Sequence, residues 1–179
     1  MGVTLDSIHS LDPHINNIVK NCTYHLQALR HIRPSIIKEV ANTMACAIIG
    51  SRLDYCNSMF YKMSDKNFNK LQRIQNCAAR IVCGVGRRTQ NARQLCHNLH
   101  WLPVYSRTDF KLAFLCFESH VMRQPDYLAV TLDRYEPSHI LRSSTQHFLS
   151  VQFCNTVFVR QTLFFGSCPT SLEQFAIRS

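Results

Sequence analysis

The sequence has few glycines, no long apolar run and no apolar leader, and each of these absences excludes a class of protein. Five glycines among 179 residues exclude a collagen-like or glycine-rich repetitive chain. The longest stretch without a charged residue, 143–159, is interrupted by glutamine, histidine and asparagine, which excludes a membrane-spanning helix. No basic segment followed by an apolar one stands at the start. We therefore expect an intracellular protein, cytoplasmic or nuclear, that is neither secreted nor membrane-bound.

The chain also lacks the clustered ligands that metal chemistry uses. No two of the 11 acidic residues are adjacent, whereas two-metal nucleotidyl transfer requires clustered carboxylates; a lone Asp54 is typical of a cap or a salt bridge. No Cys-x-x-Cys pair occurs, so Cys22 with His25, and Cys96 with its neighbouring histidines, favour core thiols and imidazoles over zinc. Nine irregularly spaced cysteines predict free thiols. We expect no enzymatic activity, no cofactor and no metal.

Positive charge is plentiful and unevenly distributed. Lysine and arginine outnumber aspartate and glutamate 20 to 11, a net charge of +9. Ten basic residues but only two acidic ones lie from Lys62 to Lys111. This middle third is where a polyanion would bind. The alternative is a solvated basic face that keeps the protein in solution.

Apolar spacing predicts three amphipathic helices in the first half of the chain. The first begins with Asp12 as its cap and continues to about Ile32; the second starts after Pro34 and ends or bends near Gly50. The third begins at Ser64 or Asp65 and is ended by Gly84. The apolar row predicted for the second helix is Ile37, Val40, Met44 and Ile48. Because each helix can bury its row only against the others, they should form a three-helix bundle over 11–88.

The remainder predicts further helices and then an irregular tail. A short helix is expected near 92–99 and a core helix from Pro103 to Met122, with a third helix over 127–135. The core helix carries a row of large apolar residues: Phe110, Phe114, Phe117 and Val121. Fold class is therefore mainly α, with an extended segment at 1–10, the bundle at 11–88, a helical region at 89–135 and a tail with short strands at 136–179.

A stripe of cations on the third helix is the candidate binding site. Lys66, Lys70, Arg73 and Arg80 lie at offsets of 0, 4, 7 and 14 residues, which places them on one side of a helix, away from the apolar face. Arg87 and Arg88 follow directly after the helix. Such a stripe suits a phosphate backbone and implies no sequence specificity. An ordinary exposed face is the alternative.

Several strings resemble, in order, the region after the palm in jockey-like LINE (non-LTR) retrotransposon reverse transcriptases. They are GVTLDS (2–7), LDPHI (11–15), LQALRHIRPS (26–35), SRLDYCNS (51–58), KLQRIQNCAARIV (70–82), LHWLPV (99–104) and LRSS (141–144). The resemblance covers about residues 2–160. After Arg160 the chain departs from the family, with Leu172 where the family has tryptophan.

The resemblance implies a position within a larger polymerase. In that family the Tyr-x-Asp-Asp palm motif lies upstream of the segment matched here, so we expect a truncated, catalytically incomplete fragment. The bundle would be the thumb, which grips the primer–template duplex, and its partners would be RNA, DNA or an RNA–DNA hybrid and the missing palm and fingers. The competing hypothesis is a helical protein-interaction module, or a relic of a mobile element, without a nucleic-acid role.

Overall fold

The computed structural model describes residues 2–7, 10–61, 63–86 and 91–131, which fall into two compact units divided between Thr108 and Asp109. The described part is mainly helical and contains no strand. Its α-helices are α1 (Asp12–Ile32), α2 (Lys38–Leu53), α3 (Asp65–Cys83), α4 (Ala92–Asn98), α5 (Val104–Phe117) and α6 (Asp126–Thr131). Short 3-10 turns occupy Arg33–Ser35 and Asn57–Phe60, and a π-helical turn occupies Glu118–Met122. The tail at 136–179, with its predicted strands, lies outside the described residues.

Helices α1 and α3 lie side by side and run in the same direction. Asn67 Nδ2 donates to the Asp12 carboxylate at 2.6 Å near the start of both helices, and Arg33 Nη2 donates to the Val82 carbonyl at 2.9 Å at their ends. Helix α2 runs back between these ends and contacts both neighbours. The three helices therefore contact one another pairwise, with α1 and α3 parallel.

One continuous core holds the first unit together. The fully buried residues at its centre include Ile15, Cys22, Leu29, Phe60, Leu71 and Val82. The same cluster extends past the bundle to Leu95, Trp101 and Val104. The first unit therefore includes α4 and the start of α5 as well as the three helices.

The predicted apolar row on α2 is wrong at its first two positions, whereas Met44 and Ile48 are partly buried and pack against the core. Ile37 and Val40 are 65% and 44% exposed, whereas the buried residues are Ala41, Ala45, Ile49 and Leu53. The first three of these each follow a predicted position by one residue, so the inward face is rotated by about 100°. The two alanines present no bulk, which lets the backbone of α2 approach its neighbours closely.

Helix α2 also continues through Gly50 to Leu53, beyond its predicted end. A glycine inside a helix costs about 1 kcal/mol relative to alanine. Burial of Leu53, which is 1% exposed, stabilises the fold by roughly 1.5–3 kcal/mol. Because burial of the leucine outweighs the cost of the glycine, the helix ends only after that side chain has reached the core.

The start of α1 differs from the prediction as well. Leu11, with a φ of 59°, occupies the cap position, and Asp12 lies inside the first turn without capping it. The Asp6 carboxylate instead accepts the Leu11 N–H and the Ser10 hydroxyl. The Asp12 side chain is thereby left to bind Asn67 of α3. By contrast, the predicted end of α3 at Gly84 is confirmed, because Gly84 caps the helix in the left-handed conformation.

Two glutamines join α3 to the segment that leads into α5. Gln75, fully buried, donates to the Leu102 carbonyl at 2.7 Å, and the Gln72 carbonyl oxygen accepts the Val104 N–H at 3.0 Å. Val104 is the first residue of α5, so Gln72 satisfies one of the backbone donors that a helix leaves unpaired at its start. Arg107 then pairs with Asp54 at 2.9 Å, which confirms the salt-bridge interpretation of that aspartate.

In the second unit the prediction of a core helix is wrong for the phenylalanine row. Phe110, Phe114 and Phe117 are all exposed, and Leu112 on the opposite side of α5 is buried. Phe110 and Phe114 stack on each other with ring centroids 6.3 Å apart, and the Lys111 ammonium lies 5.6 Å from the Phe114 centroid. A helix that is apolar on nearly all sides can bury only one of them, and the sequence alone does not indicate which side is buried.

Replacing Asn67 tests the contact between α1 and α3. Asn67→Ala removes the only described side-chain donor to the Asp12 carboxylate, and hydrogen bonds to charged groups contribute about 1.5–3 kcal/mol. The free energy of unfolding should fall by that amount in urea titrations followed by the fluorescence of Trp101, the only tryptophan. Asn69→Ala, at an exposed position of the same helix, should change it by less than about 0.5 kcal/mol. Equal effects of the two variants would contradict the assigned role.

Acid should destabilise the first unit through His14. This residue is buried beside Phe60, its Nδ1 accepts the Thr4 N–H at 3.4 Å, and burial lowers its pKa below the usual 6.5. The folded state therefore binds fewer protons on this side chain than the unfolded state does, and stability is lost as pH falls below 6.5. The melting temperature should fall less steeply with acid in His14→Gln than in the original chain, whereas His97→Gln, at an exposed position, should leave the slope unchanged.

Candidate nucleic-acid interface

The structure places four of the six predicted site residues on one helix. Lys66, Lys70, Arg73 and Arg80 all lie on α3; Arg87 and Arg88 lie outside the described residues. Lys66 and Arg73 are exposed, whereas Lys70 and Arg80 are partly buried. Lys70 Nζ donates to Asn16 Oδ1 of α1 at 2.8 Å. The predicted stripe therefore borders the groove between α3 and α1.

A second polar row, which the sequence reasoning missed, faces this stripe from α1. It consists of Asn16, Lys20, Thr23, Gln27 and Arg30. Its cations Lys20 and Arg30 follow Asn16 by four and fourteen residues, matching the spacing of Lys70 and Arg80 after Lys66. Since α1 and α3 are parallel and Asn16 touches Lys70, the two rows run alongside each other. The equal spacing was visible in the sequence, but only the parallel packing brings the rows together.

The two rows meet in a cleft of about 810 Å³ between the last turns of α1 and α3. Arg30, Arg33, Arg73 and Arg80 line it, and none of the described residues that line it is acidic. Ile81 and Val85, both partly buried, and the exposed Pro34 supply apolar surface within it. The cleft therefore combines guanidinium groups with an apolar wall.

Arg33 has a structural role within this cleft. Its Nε and Nη2 donate to the Val82 carbonyl at 3.1 and 2.9 Å, and its Nη1 donates to the Ile36 carbonyl at 2.9 Å. These bonds satisfy a carbonyl at the C-terminal end of α3 and place positive charge at the negative end of its dipole. The guanidinium groups of Arg30, Arg73 and Arg80 form no hydrogen bond or ion pair to another described residue, and Arg80 Nε is buried without a partner among them.

The charge of the chain belongs almost entirely to the first unit. Residues 1–108 contain 14 of the lysines and arginines and five of the acidic residues, whereas residues 109–179 contain six of each. The difference in the first unit, nine, equals the net charge of the whole chain. The unit that carries the two cation rows thus also carries the net positive charge of the chain.

The thiols and imidazoles considered as ligands do not form a metal site within the described ranges. No group of three or more His, Cys, Asp or Glu side chains that could hold a metal ion occurs there. Cys22 and Cys96 are buried, and burial raises the pKa of both thiols. The Cys96 thiol contacts Asn76 Oδ1 at 3.7 Å. Both cysteines therefore belong to the core.

No described helix is long and apolar enough to cross a membrane.

Comparison with known proteins assigns no family. No family model, no curated protein and no solved structure matches the chain. The resemblance to non-LTR reverse transcriptases rests on the strings quoted above.

The structural role of Arg33 can be separated from the free guanidinium groups beside it. Arg33→Gln should lower the free energy of unfolding by about 1.5–3 kcal/mol, because bonds from its charged group to helix carbonyls are lost. Arg30→Gln, three residues earlier and exposed, should lower it by less than about 1 kcal/mol, the dipole contribution alone. Both values are measured in urea with Trp101 as the probe. A larger loss in Arg30→Gln would refute this division of roles.

Proposed function

We propose that this chain is the thumb and post-thumb part of a non-LTR retrotransposon reverse transcriptase, catalytically incomplete, and that its first unit binds primer–template nucleic acid. The observation that carries the proposal is the pairing of two cation rows along the parallel helices α1 and α3, which end at a cleft where no described lining residue is acidic. RNA, DNA and RNA–DNA hybrids are the ligands, and the palm and fingers of a parent polymerase are the protein partner.

The rows have the chemistry and the arrangement that a phosphate backbone requires. Lys20 on α1 and Lys66 and Arg73 on α3 are exposed, so their charged groups can approach phosphates without refolding. If about five cations each neutralise a phosphate, the logarithm of affinity falls with the logarithm of salt concentration at a slope near −4 to −5. Binding would then be appreciable only at modest salt.

The same rows favour sequence-tolerant binding. Cations that contact phosphates fix the position of a nucleic acid but carry no base information. The predicted stripe itself consists of lysine and arginine, and the nearby amides of Gln72 and Gln75 are bonded within the unit. Affinity should therefore depend on charge and strand form more than on sequence.

The helical interaction module is the second candidate, and the outer face of α2 favours it. Ile37 and Val40 are exposed one turn apart on that helix, and apolar rows of this kind bind partner helices. Such a module would retain a protein partner after nuclease treatment in pull-down experiments and would lose it in Val40→Lys. Lys66→Gln and Arg73→Gln would then leave any binding of nucleic acid unchanged.

Neutralising single cations tests the proposed function. Lys66→Gln and Arg73→Gln should each weaken binding to an RNA–DNA hybrid and reduce the magnitude of the salt slope by about 1, since each removes one phosphate contact. Fluorescence anisotropy at several salt concentrations gives both quantities.

Lys38→Gln is the matched control, because Lys38 is equally exposed but lies on α2, outside both rows. It should leave the slope nearly unchanged. If all three variants reduce the slope equally, the charge acts as a diffuse field and the assigned interface is wrong. If none of them changes it, the rows do not contact phosphate.

A further inference from the structure

We propose that the cleft between the last turns of α1 and α3 binds one unpaired nucleotide, with its phosphate on Arg30, Arg73 and Arg80 and its base on the apolar wall. This inference rests on the proposed function and adds to it a preference for nucleic acid with a single-stranded end. It follows from the width of the cleft, its charge and its mixed surface.

The cleft is narrower than a duplex. Its volume of about 810 Å³ corresponds to a cube roughly 9 Å on a side, whereas the major groove alone of a B-form duplex is about 12 Å wide. A duplex can therefore reach the exposed Lys66 and Arg73 on the rim but cannot enter between the helices to Arg80, which is partly buried. A single nucleotide fits, because the volume of about 810 Å³ lies in the usual range for small-molecule sites, roughly 300–1,000 Å³.

The charge of the cleft exceeds what its helix ends require. The C-terminal ends of α1 and α3 each contribute about −0.5 charge, or about −1 together. Arg33 offsets the end of α3 through its bonds to the Val82 carbonyl, and Arg30 lies in the last turn of α1. The four guanidinium groups together exceed a charge of about −1, and no described residue that lines the cleft is acidic. An anionic group is the ligand that this excess selects.

The apolar wall distinguishes a nucleotide from a simple anion. Ile81, Val85 and Pro34 line the same space as the three arginines, so a ligand that fills it has a charged part and an apolar part. Bases also stack on guanidinium planes, as single strands do in other nucleic-acid-binding proteins. A mononucleotide unit within a strand meets both requirements, whereas inorganic phosphate meets only the first.

Comparison of two hybrids tests the inference on the full chain. One is blunt-ended, and the other is the same hybrid with a short single-stranded overhang; anisotropy gives both affinities. The original chain should bind the overhang form about tenfold more tightly, a ratio that corresponds to about 1.4 kcal/mol of additional binding free energy. Arg30→Gln and Arg80→Gln should bring this ratio near one, whereas Lys66→Gln should weaken both forms and leave the ratio unchanged.

Arg30→Gln is the decisive variant because Arg30 is exposed, so its replacement should leave folding intact. Thermal unfolding of this variant verifies that it folds, and the test then holds even if Arg80→Gln fails to fold. A nucleoside monophosphate should lower the ratio, and inorganic phosphate at equal concentration should not. The nucleotide site would be overturned by a ratio of one in the original chain, by an unaltered ratio in Arg30→Gln, or by equal competition from phosphate. Salt-dependent binding of the blunt-ended hybrid would still support the proposed function in each of these cases. Failure to bind either hybrid would overturn both.

Discussion

The parallel contact between α1 and α3, fixed by hydrogen bonds at both ends, is the constraint on which the rest of the first unit depends. Asn67 joins the helices at their starts and Arg33 at their ends. Between these points every residue on one helix keeps a fixed neighbour on the other, so two rows with the same spacing become one two-sided surface. An antiparallel pairing of the same helices would have separated Lys20 from Lys70 and dispersed the charge.

This arrangement concentrates positive charge at a cost that the core must offset. Like charges one helical turn apart repel by a few tenths of a kcal/mol per pair, and salt at physiological strength screens exposed charges beyond about 8 Å. Burial of several large side chains, such as Phe60 and Leu71, contributes roughly 1.5–3 kcal/mol each. The fold can therefore tolerate the repulsion, and a bound polyanion would relieve it.

Local signals in the sequence determined much of the first unit. The bounds of α1 and α3 and the stop at Gly84 were predictable, because apolar spacing and a left-handed glycine act within a few residues. The stripe on α3 was predictable for the same reason. The inward face of α2 was not, because Ile37 and Val40 are the more apolar residues while alanines make the close contact.

The facing row on α1 and the cleft could not be derived from one helix at a time. They depend on which helix lies beside α3 and on the direction in which that helix runs. Long-range hydrogen bonds, such as those from Arg33 to the carbonyls of Ile81 and Val82, 48 and 49 residues away, fix both the neighbour and its direction. Nor does spacing distinguish Arg33, which bonds to carbonyls, from Arg30, which does not. Only the geometry separates the structural cation from those left for a ligand.

The most direct test of the account is to map a bound RNA–DNA hybrid onto the isotope-labelled chain by NMR. We predict that amides along both rows, from Asn16 to Arg30 on α1 and from Lys66 to Arg80 on α3, shift together as hybrid is added, while those of α2 around Lys38 do not. Shifts confined to α3, or spread evenly over all three helices, would contradict the claim that the two rows form one interface.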